Sequence, residues 1–270
     1  MTPSHSALPA YARLPLRVDV ALLQAALQAI PDAAWSAHFN TDYYRGDWSG
    51  VALLSPAGAH DPLAAAHGGD STDTHATPWH SARWQQVLAG IAMRISSARL
   101  LRLGAGAHIS EHCDPDLSDP QGDVRLHIPI RSHPAVEFLL EGQVIPMAVG
   151  ECWFLDLARP HRVDNRSEQA RIHLVIDARR NDWLRAQISA GLATTPAAQI
   201  ARSTLAFNRF RQRVHADTLL AGQLNRLENA REFAERAVQL GAQLDLHFAI
   251  DDVRSAMRQG RRAWSEQWTV

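Results

Sequence analysis

The chain has no lysine: every one of its 27 Lys-plus-Arg positions is arginine. A bias that complete reads as the codon imprint of a GC-rich bacterial genome rather than as a binding signature. An excess of either charge is also missing. Acidic residues number 28, the formal charge is -1, and no long block of one sign occurs. That balance excludes a non-specific electrostatic grip on nucleic acid. Cysteine is scarce. Cys113 and Cys152 are the only two, neither sits in a paired-cysteine zinc spacing, and a single bridge between them is the most the sequence allows. No apolar run approaches the roughly 20 residues needed to cross a bilayer. The opening MTPSHSALPAYARL shows no basic region leading into an apolar one. A soluble, cytoplasmic protein with no membrane partner is therefore expected. What remains is an ordinary globular balance, 46% hydrophobic and 20% charged. A 270-residue chain of that kind buries a substantial core without staples, as one large domain or a medium one with a small companion.

Hydrophobic spacing divides the chain. Leu22, Leu23, Leu27 and Ile30 predict an amphipathic helix within residues 13–30. Residues 35–54 alternate as strands do, residues 55–78 read as a loop rich in Gly, Pro, Asp, His and Ser, and residues 84–95 read as helix. A loop of that length is often a functional or mobile segment. From residue 98 to residue 177 short strand-like runs recur at 98–103, 124–130, 136–140, 152–155 and 171–176, separated by turn residues. Strands at this spacing predict a mostly β core, a sandwich or barrel of the jelly-roll, cupin-like kind. Beyond Asp182 the period becomes helical, as in Phe207, Phe210 and Val214, with Thr194-Thr195-Pro196 marking a boundary. The expected organisation is a β domain over 1–185 and a helical one over 196–270. There is no repeat or low-complexity tract.

His112-Cys113-Asp114 carries the first chemical signal. On extended backbone, residues two apart share a face, so this imidazole and carboxylate can converge. A third ligand from elsewhere completes the two-His-one-carboxylate face of non-haem iron(II) oxygenases, whereas zinc prefers a tetrahedral site richer in His or Cys. His161, in Arg159-Pro160-His161-Arg162-Val163, is the candidate third ligand. Arg171 opens the next apolar alternation and offers a bidentate partner for the far carboxylate of a dicarboxylate co-substrate. Each residue also has a plain structural reading. Asp114 beside Asp116 and Asp119 reads as a solvated acidic turn, His127 as a hydrogen-bonded core histidine, and Arg171 as a bridge to Glu151 or Asp177. His108, His133 and His173 are assigned to structure or surface, Trp153 and Phe154 to the core. Arg45, with Tyr43, Tyr44 and Trp48, is a candidate for the substrate side of a pocket.

Taken in order, GAHISEH ending at His112, Arg125-Leu126-His127, Gly150-Glu151, Trp153-Phe154-Leu155-Asp156, Pro160-His161 and the Arg-x-x-x-Val-x-Asp of Arg171 to Asp177 resemble the aspartyl/asparaginyl β-hydroxylase family. The resemblance spans about residues 101–177. It implies a double-stranded β-helix, Fe(II) held by His112, Asp114 and His161, and 2-oxoglutarate and O2 as co-substrates. It further implies that Arg171 and His127 bind 2-oxoglutarate, and that Arg125 faces either the co-substrate or a substrate carboxylate. Animal members resemble the pattern without a carboxylate two residues after the first histidine. Asp114 therefore aligns this chain with the bacterial free-proline hydroxylases. Residues 207–270, with Phe207, Val214, Asp217, Phe233, Leu240-Gly241, Phe248, Asp252-Val253, Trp264 and Trp268, loosely resemble leader-peptide-like domains found near nitrogen-fixation genes; a plain packing domain is the alternative.

The expected function is hydroxylation of an unactivated carbon of an amino acid, free or in a peptide. One alternative is a peptidyl aspartyl/asparaginyl β-hydroxylase that recruits its peptide through the helical C-terminus. Another is a non-catalytic cupin-like binding or regulatory module. A zinc hydrolase is disfavoured because no general base is evident beside the metal motif.

Overall fold

The computed structural model describes residues 8–59, 61–64 and 73–266, with side chains to 258 and at 260. Residues 60 and 65–72 of the expected loop, the side chain of Trp264 and all of Trp268 lie outside the described residues. The chain forms two units: residues 1–141 with 145–197, and residues 142–144 with 198–270.

In the first unit the order is β1 (Tyr11–Arg17), α1 (Val20–Gln28), β2 (Ser36–Ala37), β3 (Tyr44–Arg45), β4 (Trp48–Pro56), β5 (Thr74–Ala76), α2 (Ala82–Leu88), β6 (Ile95–Leu103), β7 (His108–His112), β8 (Asp123–Arg131) and β9 (Val136–Leu140). After β10 (Gln143–Val144), which belongs to the second unit, come β11 (Glu151–Leu155), β12 (His161–Asn165), β13 (Arg171–Arg179) and α3 (Asp182–Leu192). One antiparallel sheet runs β1-β11-β8-β13-β6-β4-β2, with β5 added on β4, and faces a second formed by β9-β12-β7-β3. Two such sheets enclosing a pocket make a jelly roll.

Side-chain alternation sets the layers, because successive residues of a strand point to opposite faces. Ala98 and Leu100 of β6, Val124, Leu126, Ile128 and Ile130 of β8, and Ile172, Leu174, Ile176 and Ala178 of β13 all point outward into one apolar core. There they meet Leu23, Ala26 and Leu27 of α1, Trp84, Val87 and Leu88 of α2, and Leu184 and Ile188 of α3. The intervening residues, Ser97 and Arg99, Arg125 and His127, Arg171, His173 and Asp177, are left on the inner face. Asp19 and Asn181 cap α1 and α3 by accepting backbone N–H bonds. Gly191 lets α3 approach β1, since a Cβ there would stand 2.0 Å from the Arg13 carbonyl oxygen.

Three sequence expectations change. Residues 11–17 form a strand rather than the start of a helix: Ala12 and Leu14 alternate into the core, and the helix begins only at Val20. Residues 74–76 pair with β4, so the expected loop contains a strand whose ladder, not its composition, holds it. The helix read over 84–95 ends at Leu88, and Ile95 already belongs to β6. Cys113 and Cys152 are not joined in a disulfide; the first is exposed and the second buried.

In the second unit β10 pairs with β14 (Gln199–Ile200), followed by α4 (Arg202–Ala216), α5 (Thr218–Asn225), α6 (Ala230–Gln243) and α7 (Ile250–Glu266). Phe207, Phe210, Leu224, Ala237, Leu240, Phe248 and Val253 form its own core. No described helix is long and apolar enough to cross a membrane.

Candidate active site

His112 ends β7 and His161 opens β12, and the antiparallel register sets them directly opposite one another. Asp114 follows on extended backbone, φ -97° and ψ 92°, with its N–H donating to the Leu157 carbonyl at 2.8 Å. Both imidazoles are oriented through Nδ1. That of His112 lies 2.8 Å from the Ser110 carbonyl and that of His161 3.0 Å from the Arg159 carbonyl. A carbonyl can only accept, so Nδ1 carries a proton in each ring and Nε2 is the nitrogen left to meet a metal. These two Nε2 atoms stand 3.6 and 3.8 Å from the Asp114 carboxylate oxygens, and all three donor groups lie within 4.8 Å of one another. Burial, opposed by Asp114 and reinforced by His112, lowers the His161 pKa to about 4, so that ring is neutral and ligand-competent at neutral pH.

The three groups open into a cavity of about 700 Å³. Its walls include Phe138, Ile109 and Val163 from the smaller sheet and Leu101, Val175, Arg99, Arg125, His127 and Arg171 from the larger. Strand register fixes what the polar wall looks like. Across β8, β13 and β6, Arg125, Asp177 and Ser97 form one row, and His127, Val175 and Arg99 the next.

The first row is a compensated ion network. Arg125 donates from Nε and Nη2 to Asp177 at 2.6 and 3.1 Å, and from Nη1 to Asp114. Arg99 donates to the same Asp177, which also accepts from Ser97 at 2.9 Å. Burial alone would raise the Asp177 pKa, but Arg125 and Arg99 hold it down to about 2. The same carboxylates overcome burial at Arg125 and hold its pKa above the ordinary value.

Arg171 is the contrast. It is 3% exposed, its guanidinium sits 5.8 Å over the Phe138 ring, and Nη2 donates to His173 Nδ1 at 2.8 Å. It has no carboxylate partner among the described residues, its Nε is unpaired, and burial lowers its pKa to about 9. His127 is beside it, with Nδ1 3.3 Å from His173 Nδ1 and a buried, unpaired Nε2. Burial and then Arg171 push both histidines well below 6.5, so both are neutral.

Arg125, His127 and Arg171 thus line the cavity with the three donor groups, whereas Arg45 is exposed and is not part of the described lining. Arg171 bridges neither Glu151 nor Asp177: Glu151 pairs with Arg13 and Arg17, and Asp177 with Arg99 and Arg125. Sequence reasoning missed Arg99, His38 and the contact of His173 with Arg171. His38 stacks on Trp48 at 3.6 Å between centroids, and burial followed by Arg99 lowers its pKa to about 3. Inward alternation on β6 and β13 was the signal for Arg99 and His173; for His38 no periodic signal existed. Tyr43 reaches the site from the other side, its ring 5.2 Å from that of His112.

Residues 33–181 match the family model for aspartyl/asparaginyl beta-hydroxylases. An L-proline cis-4-hydroxylase from Rhizobium meliloti (strain 1021) is 25% identical over 166 residues, a match covering 60% of this chain and 58% of that protein. Among solved structures, a 2OG-Fe(II) oxygenase-family oxidoreductase from Burkholderia pseudomallei is 18% identical with a TM-score of 0.43, over 64% of this chain and 86% of that one. A Pseudomonas putida prolyl-4-hydroxylase is 13% identical with a TM-score of 0.36, over 60% and 86%. With the matched segment covering more than half of its length, the chain belongs to the aspartyl/asparaginyl beta-hydroxylase family.

Proposed function

We propose that this protein is an Fe(II)- and 2-oxoglutarate-dependent dioxygenase that hydroxylates an unactivated carbon of a free amino acid. The observation that carries the reading is the pairing of Arg171, a buried cation with no carboxylate partner among the described residues, with three convergent metal donors in one cavity. The donor set fits the ion. Two imidazole nitrogens and one carboxylate oxygen on a shared face suit a ferrous centre with positions to spare, not a closed tetrahedral zinc site. When bound, ferrous ion and 2-oxoglutarate supply the oxygen chemistry that an unactivated C–H bond requires and no side chain provides.

The protein's own contribution is placement. His112, Asp114 and His161 hold the metal, with ring tautomers fixed by the Ser110 and Arg159 carbonyls. Arg125 braces Asp114 from behind. Arg171 takes the distal carboxylate of 2-oxoglutarate, since an unpaired guanidinium held in an apolar pocket gains most from a bidentate anion. His127 shares that end of the cavity. Ile109, Val163, Phe138 and Leu101 exclude water around the reacting groups. The free-amino-acid choice rests on Asp114, and on similarity to an L-proline cis-4-hydroxylase.

The test is anaerobic reconstitution with iron(II) and 2-oxoglutarate, followed by the visible charge-transfer absorption of the chelate. The band is expected in the native protein and absent in His161→Ala, and oxygen should then release succinate. Iron binding without a band would sink the co-substrate assignment and leave a cupin-like binding module. A full band in His161→Ala would remove that residue from the metal site.

A further inference from the structure

Beyond the end of β4, Ala57, Gly58, Ala59, Asp61 and Ala64 complete one wall of the cavity, and none of them is in a strand. Their anchor is Leu63. It is 2% exposed and stands against Gly50 of β4, where a Cβ would come within 2.8 Å of Leu63 Cδ2. Asp61 shapes the turn: its side chain accepts the Leu63 N–H at 2.7 Å and its carbonyl the Ala64 N–H at 3.0 Å. The Ser55 hydroxyl donates to the Pro62 carbonyl at 3.0 Å, and Arg99 Nη1 donates to the Leu63 carbonyl at 2.6 Å. Residues 61–64 thus form a short strap, plugged by one leucine and tied by one buried guanidinium.

That guanidinium leads to the metal donors. Arg99 Nη2 donates to Asp177, Asp177 accepts from Arg125, and Arg125 Nη1 donates to Asp114. Each of these links is a charge-assisted hydrogen bond set in a largely buried wall, where such bonds are strong. The two arginines compete for acid, since both draw on Asp177 and Arg125 draws also on Asp114. On the metal-site reading above, Arg125 must yield part of the Asp114 carboxylate to a divalent ion. Arg125 then leans harder on Asp177, and Arg99, left with less of Asp177, leans harder on the Leu63 carbonyl.

We propose that Leu63 is a positioning residue, and that the seating of its strap on the cavity wall is coupled to metal binding at Asp114 through Arg99, Asp177 and Arg125. Metal binding firms the wall that a substrate meets. Linkage makes the coupling reciprocal, so the seated strap tightens metal binding by the same factor.

The test is calorimetric Zn(II) binding to the full chain, beside hydrogen exchange at the Leu63 and Ala64 amides. Zn(II) is expected to slow that exchange in the native protein, and His161→Ala to abolish both the binding and the slowing. Leu63→Ala leaves every metal donor in place, yet should weaken Zn(II) by about 2- to 30-fold, the range for mutations along a coupled network. Leu63→Met, of similar volume, should restore most of that affinity. Arg99→Gln cuts the chain, so adding Leu63→Ala to it should cost little more. A plain wall residue would leave zinc affinity alone. Zn(II) binding in Leu63→Ala within about twofold of native would therefore overturn the coupling, as would exchange indifferent to Zn(II). Additive losses in the double variant would overturn the route through Arg99. If the native protein binds no Zn(II), or His161→Ala binds it equally well, the metal-site reading falls and the coupling with it.

Discussion

Arg125 and Arg171 lie on neighbouring strands, face the same cavity and are set in the same sheet, yet their charges are held in opposite ways. Around Arg125 the protein has built its own counter-ions, Asp177 and Asp114, and the pKa of the guanidinium rises. Around Arg171 it has built none among the described residues, offering only a neutral histidine and an aromatic face, and the pKa falls to about 9. Burying a charge costs several kcal/mol unless something pays for it. At Arg125 the fold itself pays; at Arg171 the compensation is left to whatever binds. The wall thus compensates one cation with carboxylates and leaves the next without one among the described residues.

The largest effect that would break this contrast is expected at Asp177. Asp177→Ala strands the buried Arg99, leaves Arg125 with Asp114 alone, and should cost about 3–5 kcal/mol, a large share of a typical domain's stability, in urea unfolding. Arg171→Ala should cost far less in the ligand-free protein, because it removes an unpaid charge along with its packing. Equal losses from the two substitutions would show that both cations are paid for by the fold, and the contrast would fail.

With ligand the order reverses. Arg171→Ala should raise the apparent KM for 2-oxoglutarate by about 100-fold, the worth of two charge-assisted hydrogen bonds. It should also abolish the thermal stabilisation that the co-substrate gives the metal-loaded native protein, about 2.7 kcal/mol at a hundredfold excess over Kd. An unchanged KM would remove Arg171 from the anchoring role.

The smallest effect is on acid stability. His38, with its pKa at about 3, and Asp177, at about 2, are both depressed, but they act over different windows. The unfolded chain takes up the His38 proton near pH 6.5, so stability should begin to fall below that value and continue falling towards 3. The ionised Asp177 network contributes fully above the unfolded value of 3.8, and that contribution is lost as the pH drops through 3.8 towards 2. A melting temperature that stays level from pH 7 to 4 would show that the histidine is not buried as described.

Much of the β core could be read directly. Strands β8, β9, β11 and β13 announce themselves because apolar residues alternate or run together between turn signals. The strand β12, His-Arg-Val-Asp-Asn, carries no such pattern, since it is polar on one side and lines the metal cluster on the other. Residues 13–17 of β1 fall within the stretch expected to hold a helix, and only pairing with β11 sets them apart from α1. In β6 the composition did not distinguish Arg99 from Arg102. Once Ala98 and Leu100 are known to face the helices, Arg99 must face the cavity, while Arg102 reaches Trp35, 4.5 Å from the ring centroid.

The sequence by itself determined the residue types and their order: two histidines and an aspartate of the right spacing, an arginine opening the last core strand, and a helical period beyond Asp182. These are local properties, carried by the chain whatever its partners. Only the tertiary structure decided which charges cancel. Asp177 is far from Arg99 and Arg125 in sequence and meets them through the β8-β13-β6 register, and that register also sets His161 opposite His112 through β7 and β12. Electrostatic compensation depends on distance and burial, and neither is a property of a residue until the strands are paired.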